Sequence, residues 1–190
     1  MIKVVESLED LKKEIKEINN DVEIDQILGI DLPFIDSQTN FTIINIPSYN
    51  KEGHTNFIFV SGDKTIIFSQ VKQLKLEKNL EKVIKKKLGE STISIFMMLK
   101  SILKNYSQEF LRIREIMNKL EMDLILDSIE EIGRDLRKLT DLIEGLFQII
   151  IELKEDEIDC FDTSLVTLEY ELFSTEARYW LERCRSHNYR

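Results

Sequence analysis

Along the second half of the chain the apolar residues recur in alternating steps of four and three. One series runs Leu99, Leu103, Tyr106, Phe110, Ile113, Met117, Leu120 and Leu124; a second runs Ile129, Ile132, Leu136, Leu139, Ile143, Leu146, Ile150 and Leu153. Each series keeps one stripe of a helix apolar. Two such stripes separated by a break at 123–128 predict an antiparallel helical hairpin with coiled-coil packing. Ser91 is placed to cap the first helix, which the pattern carries unbroken over 91–122, a rod of roughly 45 Å at about 1.5 Å per residue. A last helix is predicted over 163–187, with Leu165, Leu168, Leu172 and Tyr179 on one face and Phe173 and Trp180 beside them.

The first half has a different texture. A short strand over 2–5 leads to Ser7, which with Asp10 three residues on resembles a capping box with Asp in place of Glu. Leu8, Leu11, Ile15 and Ile18 then form one apolar helical face, stopped by Asn19 and Asn20. A second short helix is expected over 22–28, closed by Gly29 as a left-handed cap. The β-branched and aromatic runs 41–46, 56–60 and 64–68, punctuated by Pro47, Gly53 and Gly62, predict three adjacent antiparallel strands with a helix on one face. The last two strands are joined by a Ser61-Gly62-Asp63 hairpin. A charged helix over 76–88 ends at Gly89. The chain thus divides into an α/β subdomain (1–90) and a long-helix subdomain (91–190).

Composition sharpens this picture. With 190 residues, only 2 prolines and 6 glycines, most of the chain has to lie in regular structure. The net charge of −9 argues against a nucleic-acid partner, which calls for a cationic footprint. The 2 cysteines, Cys160 and Cys184, cannot build a disulfide scaffold, and no secretory signal or membrane-spanning run is visible, so a cytoplasmic setting is expected.

Motifs for chemistry are sparse. The sequence has no G-x-G-x-x-G, Walker A or G-x-S-x-G pattern. Its 2 histidines, His54 and His187, stand apart. Cys184 and His187 could supply two metal ligands, whereas a structural zinc takes four. The lysines 85–87 fit a solvated helix end, and Tyr179 and Trp180, beside Arg178 and Arg183, fit a helix–helix contact. No enzyme is indicated and no cofactor is required. The one concentrated feature is acidic: 6 of the 11 residues from 152 to 162 are Asp or Glu. Such a cluster either solvates a helix turn or draws cations. Its Glu155, Asp156, Glu157, Asp159 and Asp162 are the candidate residues for a diffuse metal-binding surface. Carboxylates without histidine suit a hydrated hard ion such as Mg²⁺ better than zinc.

Three stretches carry a resemblance: NFTIINIPSYNKEGHTNFIFVSGDKTIIFSQ (40–70), STISIFMMLKSILKNYSQEFLRIREIMNKLE (91–121) and IEEIGRDLRKLTDLIEGLFQIIIEL (129–153). Their order and hydrophobic pattern are similar to the cytoplasmic domain of CorA-type divalent-cation transporters, over roughly residues 24–190. Leu136, Arg137 and Leu139 match the Leu/Arg-rich helix of that family. The proline usual in that helix is absent, and its place falls near 145–147. The resemblance implies an α+β fold: a small α/β/α sandwich with a mainly antiparallel sheet, long antiparallel helices, and the start of a stalk helix. It implies a cytosolic regulatory, cation-sensing role in transport of Mg²⁺ or Co²⁺, with self-association into a homo-oligomer, a pentamer when attached to a pore. The Gly-Met-Asn pore signature has no counterpart in these residues, so the membrane would be reached only through a missing transmembrane segment. Either a fragment of a transporter or a pore-less relative is implied. The places comparable to the family's intersubunit Mg²⁺ site, around 49–51 and 183–186, are not acidic pairs, and no such site is transferred to them. The alternative reading is a stand-alone helical-hairpin module that recruits a protein partner without transport activity.

Overall fold

A computed structural model describes residues 2–49, 55–61, 64–69, 90–123 and 126–155, together with Thr175 and Glu182. The elements run β1 (Ile2–Val5), α1 (Leu8–Ile18), α2 (Ile24–Leu28), β2 (Phe34–Gln38), β3 (Phe41–Pro47), β4 (Thr55–Ser61) and β5 (Lys64–Ser69). Two long helices follow, α3 (Glu90–Asp123) and α4 (Leu126–Glu155). The helix expected over 76–88 lies outside the described residues. So does that over 163–187, apart from Thr175 and Glu182, both helical.

The five strands form one sheet in the order β1-β5-β4-β3-β2. β2, β3, β4 and β5 pair antiparallel in succession, and β1 joins β5 in parallel. The sheet is therefore mainly antiparallel but mixed. The pairing of Ser61 with Lys64 closes the β4–β5 hairpin that the sequence predicts.

Alternation along the strands sorts side chains onto two faces. Ile43, Phe57, Phe59, Ile66 and Phe68 point to one face, where α1 contributes Leu11 and Ile15 and the α2 region Val22 and Ile24. Phe41 and Phe59 stack there with ring centroids 5.5 Å apart. Ile44, Ile46, Ile58 and Ile67 point to the opposite face and pack against α3 and α4. The result is a three-layer α/β/α sandwich, as expected. All the members of the two 3-4 series whose side chains are described are buried, except Ile129, which is partly exposed. Met98, Ile102, Leu142 and Ile149 are buried as well, because the hairpin packs both on itself and on the sheet. That double duty widens the apolar stripe beyond a coiled-coil seam.

Three local expectations need correction. The capping box at α1 is half formed: the Asp10 backbone N–H donates to Ser7 Oγ (3.1 Å), but the Asp10 carboxylate accepts from the Ser7 hydroxyl (2.6 Å). Asp is one methylene shorter than the Glu that a capping box uses to reach the cap's backbone N–H. α2 begins at Ile24, with Val22 buried ahead of it, and Gly29 is not a left-handed cap. Its φ of −79° is right-handed, and its N–H donates to the Gln26 carbonyl in a simple turn. The break between the long helices is shorter than 123–128: Asp123 still belongs to α3, and α4 resumes at Leu126.

One long-range contact fixes the hairpin against the sheet edge. An added Cβ on Gly145 of α4 would lie 2.9 Å from Pro33 Cδ and 3.2 Å from the Pro33 carbonyl oxygen. Pro33 leads into the edge strand β2, so the missing side chain lets the helix approach backbone. In an open helix Gly→Ala gains about 1 kcal/mol. Here Gly145→Ala is expected to lose stability instead, by about 1–2 kcal/mol, because the clash overrides propensity. A denaturant midpoint at or above that of the parent would show that the approach is not tight.

Candidate functional site

The exit of β3 is where the sheet and both long helices are tied together. Tyr106 of α3, fully buried, donates its hydroxyl to the Pro47 carbonyl at 2.6 Å. Two residues later the Tyr49 N–H donates to Asn105 Oδ1 at 3.0 Å. Asn56, in the neighbouring strand, donates from Nδ2 to the Ile46 carbonyl (3.0 Å) and to Ser48 Oγ (2.8 Å), while its Oδ1 accepts from the Ser69 hydroxyl (2.6 Å). One side chain thereby joins β3, β4 and β5.

The Tyr49 ring lies under the α4 ammonium of Lys138, 5.7 Å from the centroid. Burial raises the Tyr49 pKa well above that of a free phenol, and the charge and hydrogen bond of Asp135 add to the shift. Burial alone raises that of Tyr106. Both phenols stay protonated donors. On the solvent side Arg112 of α3 pairs with Glu109 (2.8 Å) and reaches Asp135 of α4 at 3.9 Å. These polar bridges tie α3 and α4 to each other and to the end of β3.

An open groove of about 450 Å³ lies next to this junction, between the loop that carries Asp31 and Leu32 and one face of α4. The helix contributes Arg134, Arg137, Lys138 and Asp141, with Leu142 at the base. The spacings i, i+3, i+4 and i+7 place these side chains on one face. Their spacing is legible in the sequence; the loop that faces them across 100 residues of chain is not.

Of the predicted metal-binding residues, Glu155 is the last residue of α4, and Asp156, Glu157, Asp159 and Asp162 lie outside the described residues. So do His54, His187, Cys160, Cys184 and lysines 85–87. Among the described residues no group of three or more His, Cys, Asp or Glu is placed to hold a metal ion. Among them, too, no helix is long and apolar enough to cross a membrane.

No protein-family model matches the sequence, and no curated protein does. Solved structures share its fold. The cytoplasmic domain of ZntB from Vibrio parahaemolyticus superposes with a TM-score of 0.64 at 11% identity, covering 98% of this chain and 81% of that one. The full-length CmaX protein gives 0.64 at 11% identity over 98% of this chain, which spans 63% of CmaX. The soluble domain of CorA from Methanocaldococcus jannaschii gives 0.55 at 13% identity, over 97% of this chain and 82% of that one. The architecture expected from the sequence resemblance is therefore present, in the fold of cytoplasmic domains of ZntB and CorA.

Proposed function

We propose that the chain is a cytoplasmic regulatory domain of a CorA-like divalent-cation transporter, sensing Mg²⁺ or Co²⁺ and working in a homo-oligomer. The observation that supports this reading is the shared fold over 98% of the chain with the ZntB cytoplasmic domain and over 97% with the CorA soluble domain. The charge balance of −9 supports it independently, because an acidic domain concentrates divalent cations at its surface. A cation shared between the acidic surfaces of neighbouring subunits would favour the assembled state. Its loss would let those surfaces separate, provided that the ion binds the two states with different affinity. Glu155, Asp156, Glu157, Asp159 and Asp162 are proposed to supply the carboxylates.

Thermal melts in Mg²⁺ or Co²⁺ test this. At ten times the dissociation constant the midpoint should rise by about 3–5 °C, and the rise should shrink in high monovalent salt. A variant carrying Glu155→Gln, Asp156→Asn, Glu157→Gln, Asp159→Asn and Asp162→Asn should lose most of that increment. The increment, not the absolute midpoint, is the quantity to compare, since removing like charges alters the cation-free protein as well. Equal increments in the parent and the variant would remove the cluster from the reading. No increment with either ion would remove cation sensing.

A further inference from the structure

We propose that the groove between the Asp31–Leu32 loop and α4 binds a small organic phosphate: a phosphate monoester on a hydroxylated carbon frame, as in a nucleotide or a sugar phosphate. The first ground is a concentration of three cations, Arg134, Arg137 and Lys138, along one side of the groove. Among the described residues no carboxylate lies within 4.0 Å of Arg134, Arg137 or Lys138. Yet Asp141 stands four residues after Arg137 and three after Lys138, where helical neighbours ordinarily pair.

The local backbone accounts for this. Arg137 turns away from Asp141 and donates from Nε to the Gly133 carbonyl at 3.1 Å. Its Nη2 passes 4.0 Å from where a Gly133 Cβ would be. A glycine inside a helix costs about 1 kcal/mol relative to alanine. At this position an added Cβ would only touch the guanidinium, so the hydrogen bond to the Gly133 carbonyl, not the missing side chain, is what holds Arg137 against the helix. Arg137 is thus held before any ligand arrives, with no partner for either Nη group among the described residues, and an ordered fork loses less freedom on binding an oxyanion. Arg134, three residues back, adds a second guanidinium, and Lys138 a point charge. Three cations converging on one groove suit a phosphate dianion.

The remaining lining decides against a bare anion. Leu32 is 52% exposed although it borders the groove, and Leu142 is buried at its base. They offer apolar contact to a carbon frame. Asp31 and Asp141 would repel a second phosphate but can accept hydrogen bonds from hydroxyls. A volume of about 450 Å³ lies in the range of small-molecule sites, roughly 300–1,000 Å³. The ligand class that meets all of these groups has a phosphate at one end and hydroxyls at the other.

Calorimetric titration of the full chain tests the site, with AMP, ribose 5-phosphate and inorganic phosphate in separate arms. EDTA is present throughout, so that divalent-cation sensing cannot contribute and its failure would be seen separately. Saturable binding of one AMP or one ribose 5-phosphate per chain is expected, at least tenfold tighter than inorganic phosphate. The tighter of the two identifies a nucleotide or a sugar phosphate as the ligand. Arg134→Gln combined with Arg137→Gln should weaken binding at least tenfold with the melting midpoint unchanged. Inorganic phosphate binding as tightly as both esters, no saturable binding, or full affinity in the double variant would each overturn the proposal. If the double variant melts early, amide shifts of the parent titrated with AMP decide the matter. Perturbations confined to residues 31–32 and 133–142 support the groove, and perturbations elsewhere overturn it.

Discussion

Leu136→Asp is expected to lower the melting midpoint more than any other substitution of a single side chain in the hairpin. The side chain is fully buried in the seam between α3 and α4, inside the same cluster as Leu139, Ile143, Tyr106 and Phe110. Truncating a buried leucine alone costs about 2–5 kcal/mol. Aspartate adds an uncompensated charge, so a loss of roughly 4–6 kcal/mol is expected, against a total stability of about 5–15 kcal/mol for a typical domain. Phe110→Asp, across the seam at 2% exposure, should come closest to it. Leu111→Asp is the internal control. That residue sits one position along α3 but is 43% exposed, and its replacement should change stability by no more than about 0.5 kcal/mol. Circular dichroism melts of the three variants separate the cases. A parent-like midpoint for Leu136→Asp, or a collapse caused by Leu111→Asp, would contradict the seam described here.

These contrasts are legible in the sequence because a long helix repeats its message. Each 3-4 step restates which face is buried, and the two series together span more than 50 residues. Short elements have no such redundancy. β2 is absent from the sequence reading because FIDSQ offers only Phe34 and Ile35 before three exposed polar residues, as an edge strand allows. The parallel pairing of β1 with β5 is not legible either. It joins residues about 63 positions apart, and nothing within IKVV distinguishes a parallel from an antiparallel neighbour. Met98 and Leu142 show the same limit from another side: local periodicity gives the seam, but only the sheet's position explains why the flank of the seam is buried too. The groove residues of α4 are visible in the sequence only as charges at helical spacing. It takes the packing of Gly145 on Pro33 to bring Asp31 and Leu32 over them. The acidic candidates have the opposite character. Their composition is plain in the sequence, and apart from Glu155 they lie outside the described residues.

Asn56→Ala should be the most damaging change among the polar side chains. Asn56 is 2% exposed, and its amide uses both ends: two bonds donated toward β3 and the turn after it, one accepted from Ser69 of β5. Alanine strips the partners as well as the residue, leaving the buried Ser48 hydroxyl and the Ile46 carbonyl without the amide that served them. Each net bond contributes about 0.5–1.5 kcal/mol, and each buried group left unsatisfied costs about 1–3 kcal/mol. A loss of roughly 2–4 kcal/mol follows, less than for Leu136→Asp because the cavity is small and no charge enters the core. Asn56→Leu distinguishes the hydrogen bonds from simple loss of volume. It fills the space but satisfies none of the three partners, so it should rescue little of the stability. The β3 exit should also loosen selectively. Amide exchange at Tyr49, whose N–H is held by Asn105, should accelerate more than exchange at Leu11 or Ile15 of α1, on the other face of the sheet. If Asn56→Leu restores the parent midpoint, packing rather than the hydrogen-bond network is what joins the three strands.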